Sequence, residues 1–139
     1  MHAPRLTDML PSKVGSPLSV GSLREDLQID HKTAESWLQI LENLYVCFRI
    51  APYGPPRVRA VKKAAKLYLW DWSSVEGDGP RFENMVASQL LKYCHWVEDT
   101  QGYTMELRYL RDHLGERHYS TGKVTVVPFI RLCEELGLP

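Results

Sequence analysis

Five basic side chains lie close together in the middle of the chain and form its densest positive cluster. They are Arg57, Arg59, Lys62, Lys63 and Lys66. Lysine and arginine bind phosphate oxygens, and a basic loop of this kind can lie along a nucleic-acid backbone. Lys32 and Thr33, near the predicted start of a helix, are expected to contact the groove or backbone of the same duplex. The sequence therefore predicts a DNA-binding surface made of these seven residues.

The alternative is that this part of the chain docks a protein and that the basic stretch contacts only solvent. The helix that would enter the major groove carries Glu35 and Glu42 among its polar residues. Helices that read the groove usually present Arg, Lys, Asn or Gln. The residues alone leave both kinds of binding open.

The other reactive residue types form no recognisable catalytic or cofactor site. The three cysteines are odd in number, the five histidines are scattered, and no CxxC pair, GxxxxGK[ST] loop or GxSxG motif occurs. We therefore expect no catalytic residue, no metal ion and no cofactor, and we expect that the chain is not an enzyme. The tryptophans could stack on bases, but they are expected in the core, where large aromatic side chains of small domains usually lie. They are Trp37, Trp70, Trp72 and Trp96.

Two short helices are predicted at the start of the chain. One covers residues 6–10, either as a short helix or as the end of a longer one, and is closed by Pro11 and Gly15, because proline interrupts helical hydrogen bonding. The other begins near Ser22, which forms a capping-box pattern with Glu25 three residues later.

A longer helix and two strands follow. Asp30 is a predicted N-cap, and the helix over 31–44 carries one apolar stripe that is expected to face the core. The stripe consists of Ala34, Trp37, Leu38, Leu41 and Leu44. Residues 45–50 and 66–70 are rich in aromatic and other apolar side chains and predict two strands. Helix, turn, longer helix and two strands joined by a basic loop is the order of a winged helix-turn-helix.

The second half is predicted to hold a helix over 81–94 and strands over 103–110 and 123–127. A last helix is expected to begin at Pro128, because proline fits the first turn of a helix. This half is too small to bury a large core by itself.

Charge is balanced over the whole chain but not within its halves. The 139 residues carry 17 basic and 17 acidic side chains, which excludes binding to a polyanion through bulk charge. Residues 1–70 carry 10 basic and 6 acidic residues (+4), and residues 71–139 carry 7 and 11 (−4). We predict a winged-helix domain over 1–72 and an α/β region over 73–139.

The sequence has neither a signal-peptide pattern nor a long apolar run. It therefore predicts a cytoplasmic protein that contacts no membrane.

Three segments carry a resemblance to a known family. Residues 79–87 read G-P-R-F-E-N-M-V-A, residues 107–116 read L-R-Y-L-R-D-H-L-G-E, and residues 17–45 contain the helix T-A-E-S-W-L-Q-I-L-E. Together they look like the C-terminal domain that follows the P-loop module in a large group of prokaryotic AAA-type ATPases. The resemblance covers nearly the whole chain.

The resemblance implies a winged helix packed on a reduced, restriction-endonuclease-like α/β remnant. Glu83 matches the helix carboxylate of that family's metal site. The strands that would supply a second carboxylate and a lysine are missing after Arg117. A nuclease or ATPase reaction is therefore not expected from this chain.

The predicted function is that of a non-catalytic accessory or C-terminal region of an AAA-type ATPase-family protein. It would bind double-stranded DNA or a protein through the winged helix. The alternatives are a metal-dependent nuclease remnant with residual activity and a purely protein-docking dimerisation module. A shortened sheet would expose a strand edge, so we expect a homodimer or a protein partner that covers it.

Overall fold

The computed structural model describes residues 5–53, 65–111, 117–121 and 125–128, and it has the α+β class that was predicted. The helices are α1 (Leu6–Lys13), α2 (Val20–Leu27), α3 (His31–Asn43) and α4 (Asp78–Gln101), with a 3₁₀ turn at Trp72–Ser74 before α4. The strands are β1 (Cys47–Ile50), β2 (Lys66–Leu69), β3 (Leu107–Arg111), β4 (Arg117–Thr121) and β5 (Thr125–Pro128). They form two antiparallel sheets, β1–β2 and β3–β4–β5.

The first two helices differ from prediction at their ends. α1 continues through Pro11 to Lys13, so the prediction is wrong for Pro11, whereas the helix does end before Gly15. Burial of Leu10 in the core helps to offset the helical hydrogen bond that proline cannot make. The N-cap of α2 is Ser19 and not Ser22, because the Ser19 hydroxyl accepts a hydrogen bond of 3.1 Å from the Ser22 amide.

The first sheet is a short hairpin in which all four side chains of β2 are buried. Cys47 lies opposite Leu69, and Ile50 lies opposite Lys66. Strand β1 begins two residues later than predicted, because Tyr45 adopts a left-handed backbone conformation with a φ of 56°. Helices α1 and α4 both contact β2, which makes this strand the centre of the fold.

Helix α4 is longer at both ends than the predicted 81–94. Gly79 and Pro80 lie in its first turn, where the missing amide of proline costs no intrahelical hydrogen bond. The helix ends at Gly102, whose φ of 70° suits a residue without a side chain.

The second sheet contains one strand that the sequence did not predict. This strand, β4, pairs antiparallel with both β3 and β5. Strand β3 begins at Leu107 and not at residue 103. Pro128 is the last residue of β5, and the last helix that was predicted to begin there lies outside the described residues.

One buried apolar cluster joins the two halves of the chain. It extends from Leu6 in α1 through the hairpin and α4 to Tyr109 in β3. The backbone of Tyr109 accepts a hydrogen bond from Tyr53 (2.8 Å) and donates one to Ala51 (3.2 Å), which ties the second sheet to the end of β1. The described core is therefore continuous across residue 72, and the division into two modules stays a prediction. None of the helices in the described part of the chain has both the length and the apolarity to cross a bilayer.

Candidate protein-docking surface

The N-terminus of α3, where DNA contacts were predicted, is occupied by the protein's own carboxylate. Asp30 is the N-cap, as predicted, and its Oδ1 accepts hydrogen bonds from the amides of Lys32 (2.9 Å) and Thr33 (3.1 Å). The Thr33 hydroxyl also donates to Asp30. Lys32 is exposed, whereas Thr33 is committed to the cap. A phosphate at this helix end would have to displace a carboxylate that already fills the amide site.

This cap makes stability depend on pH. The hydrogen bonds from the Thr33 side chain and backbone lower the pKa of Asp30 from its ordinary 3.8. Because the folded pKa lies below the unfolded one, the stabilisation is present above pH 3.8 and is lost as the pH falls through the folded value. We expect Asp30→Ala to lower the melting temperature at neutral pH. The gap in melting temperature between the variant and wild type should shrink below pH 3.8. Circular dichroism melts across pH measure this gap. Asp30→Asn, an uncharged cap, is the control, and a gap for Asp30→Ala that does not change with pH would contradict the assignment.

The two carboxylates of α3 are bound by one arginine of β1. The Arg49 guanidinium donates to Glu35 (2.8 and 3.2 Å) and to Glu42 (2.7 and 3.0 Å). Burial by itself would lower the pKa of Arg49, but the hydrogen bonds to Glu42 and Glu35 outweigh it and raise that pKa. The negative charges that argued against a groove-binding helix are therefore paired with Arg49.

The side of α3 that remains in contact with solvent carries large apolar residues. Trp37 and Ile40 of α3 and its C-cap Leu44 are 42%, 51% and 66% exposed, and we call these three residues the exposed row. The prediction that Trp37 and Leu44 face the core is therefore wrong. Only Ala34 and Leu38 of the predicted stripe are fully buried.

Ile40 was not among the predicted residues, because it lies outside the single apolar stripe of α3. A second row of apolar residues, spaced three and four positions apart over Trp37, Ile40 and Leu44, was present in the sequence and was the available signal. Neither carboxylate of α3 lies on the row, because Glu35 and Glu42 both bond Arg49. The row is therefore both apolar and uncharged.

Aromatic rings continue beyond the C-terminal end of α3. Tyr45 contacts Trp70 with ring centroids 6.0 Å apart, and Trp70 contacts His95 of α4 at 6.3 Å. Further along α4, the exposed rings of Tyr93 and Trp96 stack at 6.1 Å. The predicted core positions are wrong for Trp37, Trp72 and Trp96, which are all exposed, and Trp70 is only partly buried.

One member of the predicted basic cluster lies inside the protein. The Lys66 side chain is 5% exposed, and its Nζ donates to Glu83 Oε1 at 2.8 Å. The Tyr68 hydroxyl donates to the same oxygen at 2.9 Å, and Lys66 Nζ lies 5.3 Å from the centre of the Tyr109 ring. Lys66 is therefore not available for a phosphate contact in this fold. The other four cluster residues, Arg57, Arg59, Lys62 and Lys63, lie outside the described residues, and their contacts stay predictions.

The described thiols and carboxylates do not form a reactive cluster. Burial and, second to it, the nearby Glu42 charge raise the pKa of the Cys47 thiol to about 12, and burial also raises the pKa of Cys94. Neither thiol is ionised at neutral pH, so neither supplies the thiolate that nucleophilic chemistry needs. Across residues 5–53, 65–111 and the two short strands beyond, no group of three or more His, Cys, Asp or Glu side chains could hold a metal ion.

These features define a small α+β protein with a continuous core and an exposed, uncharged helix surface. Residues 2–75 match the model of a family described as "Domain of unknown function (DUF8612)". This is more than half of the chain, and the protein belongs to that family. The match includes α1 to α3, the β1–β2 hairpin and the 3₁₀ turn, and it ends before α4. No curated protein and no solved structure matches the chain.

Proposed function

We propose that this chain is a non-catalytic module that docks a protein partner through the exposed row. The proposal is carried by one observation: Trp37, Ile40 and Leu44 stand in solvent on a helix whose two carboxylates are bound to Arg49. Contiguous large apolar side chains are uncommon on the surface of a monomer and usually mark an interface. The row has the chemistry of a protein interface and offers no cation for a phosphate.

The environment of Glu83 supports the non-catalytic part of this proposal. A carboxylate that holds a divalent metal ion must present its oxygens to that ion. Oε1 of Glu83 instead accepts hydrogen bonds from both Lys66 and Tyr68 inside the core. We assign Glu83 a structural role in joining α4 to β2.

The family resemblance supports a more specific setting. We propose that the first half is a winged helix and that the chain acts in the cytoplasm as an accessory or C-terminal region of an AAA-type ATPase-family protein. Three helices followed by an antiparallel hairpin is the element order that a winged helix requires. In that arrangement α3 is the helix that would otherwise enter a DNA groove.

Double-stranded DNA is the second candidate partner, because Lys32 is exposed and the sequence clusters further basic residues over 57–63. DNA binding would retard a random duplex in a gel, weaken steeply with salt and be lost on replacing Lys62 and Lys63 with alanine. We expect no such shift.

Site-specific photocrosslinking tests the docking function directly. The full chain is made in its native cells with a photoreactive phenylalanine derivative at Ile40, and a second sample carries it at Thr7, an exposed position on α1. We expect adducts at Ile40, and not at Thr7, that survive nuclease and are digested by protease. Adducts that disappear with nuclease, or equal labelling at the two positions, would overturn the docking function.

A further inference from the structure

We infer that Tyr45 is a binding residue of the docking surface and that the partner places an uncharged, apolar segment against it. The inference rests on the proposed docking function and extends its surface from the exposed row into the turn that follows α3. Tyr45 comes directly after Leu44, the last residue of the row. Its backbone conformation, the exposure of its ring and the lack of charge around it support this role.

Tyr45 occupies a backbone position that favours glycine. Its φ of 56° is left-handed, and its amide donates a hydrogen bond of 3.0 Å to Glu42 O. The next amide, Val46 N, donates to Leu41 O at 2.9 Å. Helices that end with this pair of bonds usually have glycine as the left-handed residue, because the side chain of another residue crowds the backbone there. A bulky tyrosine therefore costs stability that a glycine would not.

Most of the Tyr45 ring lies outside the contacts of the fold itself. It is 72% exposed, the highest value among the large apolar side chains of the described residues. The ring touches Trp70 at a tilt, and its hydroxyl forms no hydrogen bond within the part of the chain that the structure describes. An uncommon backbone conformation at a position on which the core does not depend indicates a function. Tyrosine is also one of the residues that contribute most to binding at protein interfaces.

The surroundings of Tyr45 favour an uncharged segment of the partner. The residues around it in sequence and in ring contact carry no charge: Asn43, Leu44, Val46 and Trp70. Both carboxylates of α3 are bound to Arg49. A charged group of the partner would lose water here without gaining an opposite charge, whereas an apolar group pays no such cost. The partner that fits is a protein segment whose apolar side chains face Leu44 and Tyr45.

Gln28 is a matched position that lacks the proposed role. It is also left-handed, with a φ of 54°, and it ends α2. The same two hydrogen bonds surround it: Gln28 N donates to Glu25 O (3.2 Å), and Ile29 N donates to Arg24 O (3.0 Å). Gln28 is exposed and precedes α3, whereas Tyr45 follows it. A change to glycine therefore relieves the same backbone conformation at both positions, but only at Tyr45 does it remove a ring beside the exposed row.

Thermal melts and photocrosslinking on the full chain test the role of Tyr45. Tyr45→Gly and Gln28→Gly should both melt no lower than wild type, because glycine adopts a positive φ without crowding. With the photoreactive phenylalanine derivative at Ile40, Tyr45→Gly should lower the yield of the protein adduct about tenfold, and Gln28→Gly should leave it unchanged. A Tyr45→Gly protein that melts well below wild type would show that the ring serves the fold. That result, an unchanged adduct yield, or an equal loss in both variants would overturn the inference.

The photoreactive derivative in place of Tyr45 locates the contact without removing the aromatic ring. We expect a protein adduct of the same mass as the one formed from Ile40, and none when the derivative replaces Gln28. Mass spectrometry of the digested adduct should place the link in an apolar stretch of the partner. A link between charged side chains would reject the uncharged segment.

The two proposals fail in different ways. An adduct from Ile40 without one from position 45 would retain the docking function and reject Tyr45 as a binding residue. Absence of the Ile40 adduct in the otherwise unchanged chain would reject the docking function itself.

Discussion

Replacing Glu83 with alanine is expected to lower the free energy of unfolding by about 3–5 kcal/mol. The Lys66 side chain is almost fully buried, and a buried ammonium that loses its carboxylate keeps the cost of leaving water without the compensating attraction. The same change removes the acceptor of the Tyr68 hydroxyl. Urea unfolding followed by circular dichroism measures the difference. Asp99→Ala, an exposed acidic position on the same helix, should change the free energy by less than about 0.5 kcal/mol.

The ion pair is expected to be replaceable as a unit. Lys66→Met combined with Glu83→Leu removes both buried charges and should recover most of the stability lost in Glu83→Ala. A Glu83→Ala protein that unfolds like wild type, but that loses a cleavage activity dependent on Mg²⁺ or Mn²⁺, would contradict the structural role and restore the nuclease alternative.

Elements determined by neighbouring residues could be predicted from the sequence. Asp30 caps α3 through amides two and three residues away, so the signal lies within one turn. The β1–β2 hairpin likewise follows from two apolar runs close together in the chain. These two features support the α+β class without any knowledge of the tertiary packing.

Element ends were predicted less well where a residue allows two outcomes. Gly79 and Pro80 are typical of loops, yet proline is also suited to the first turn of a helix, and here α4 includes both residues. Strand β4 begins Arg117–His118 and is mostly polar, so its local pattern does not indicate a strand. Its pairing with β3 and β5 determines it, and that pairing is not visible in the residues of β4 themselves.

The site depended on contacts between distant parts of the chain. Lys66 was grouped with its basic neighbours in sequence, but its partner Glu83 lies 17 residues away on α4. Trp37 was assigned to the core because of its helical spacing. The hairpin and Arg49 set the orientation of α3, and this orientation places the Trp37 side chain in solvent. Helical spacing alone does not determine that orientation.

Replacing Asn84 with leucine is expected to cost about 2–6 kcal/mol, because each buried backbone group left without a partner costs about 1–3 kcal/mol. The Asn84 side chain is fully buried, and its amide accepts from Leu69 N (2.8 Å) and donates to Leu69 O (2.7 Å). Trp70 N donates to Val46 O, so Trp70 bonds the backbone of the residue before β1. Because the backbone groups of successive residues in a strand point to opposite sides, the N–H and C=O of Leu69 point away from β1. The side chain of Asn84 therefore takes the place of a neighbouring strand at this edge. Asn43→Leu, an exposed change of the same type on α3, is the control for urea unfolding.

Asn84→Asp separates the hydrogen bonds from the shape of the side chain. The ionised carboxylate still accepts from Leu69 N, but it sets an oxygen against Leu69 O where the amide donated. Repulsion and burial raise the pKa of the new carboxyl group above its unfolded value of about 3.9. Its destabilisation should therefore be small at low pH, where the protonated acid can donate to Leu69 O, and should grow as the pH rises above that value. The quantity compared is the difference in unfolding free energy between Asn84→Asp and wild type at the same pH. An equal difference at acidic and neutral pH would show that the Asn84 amide does not bind the strand.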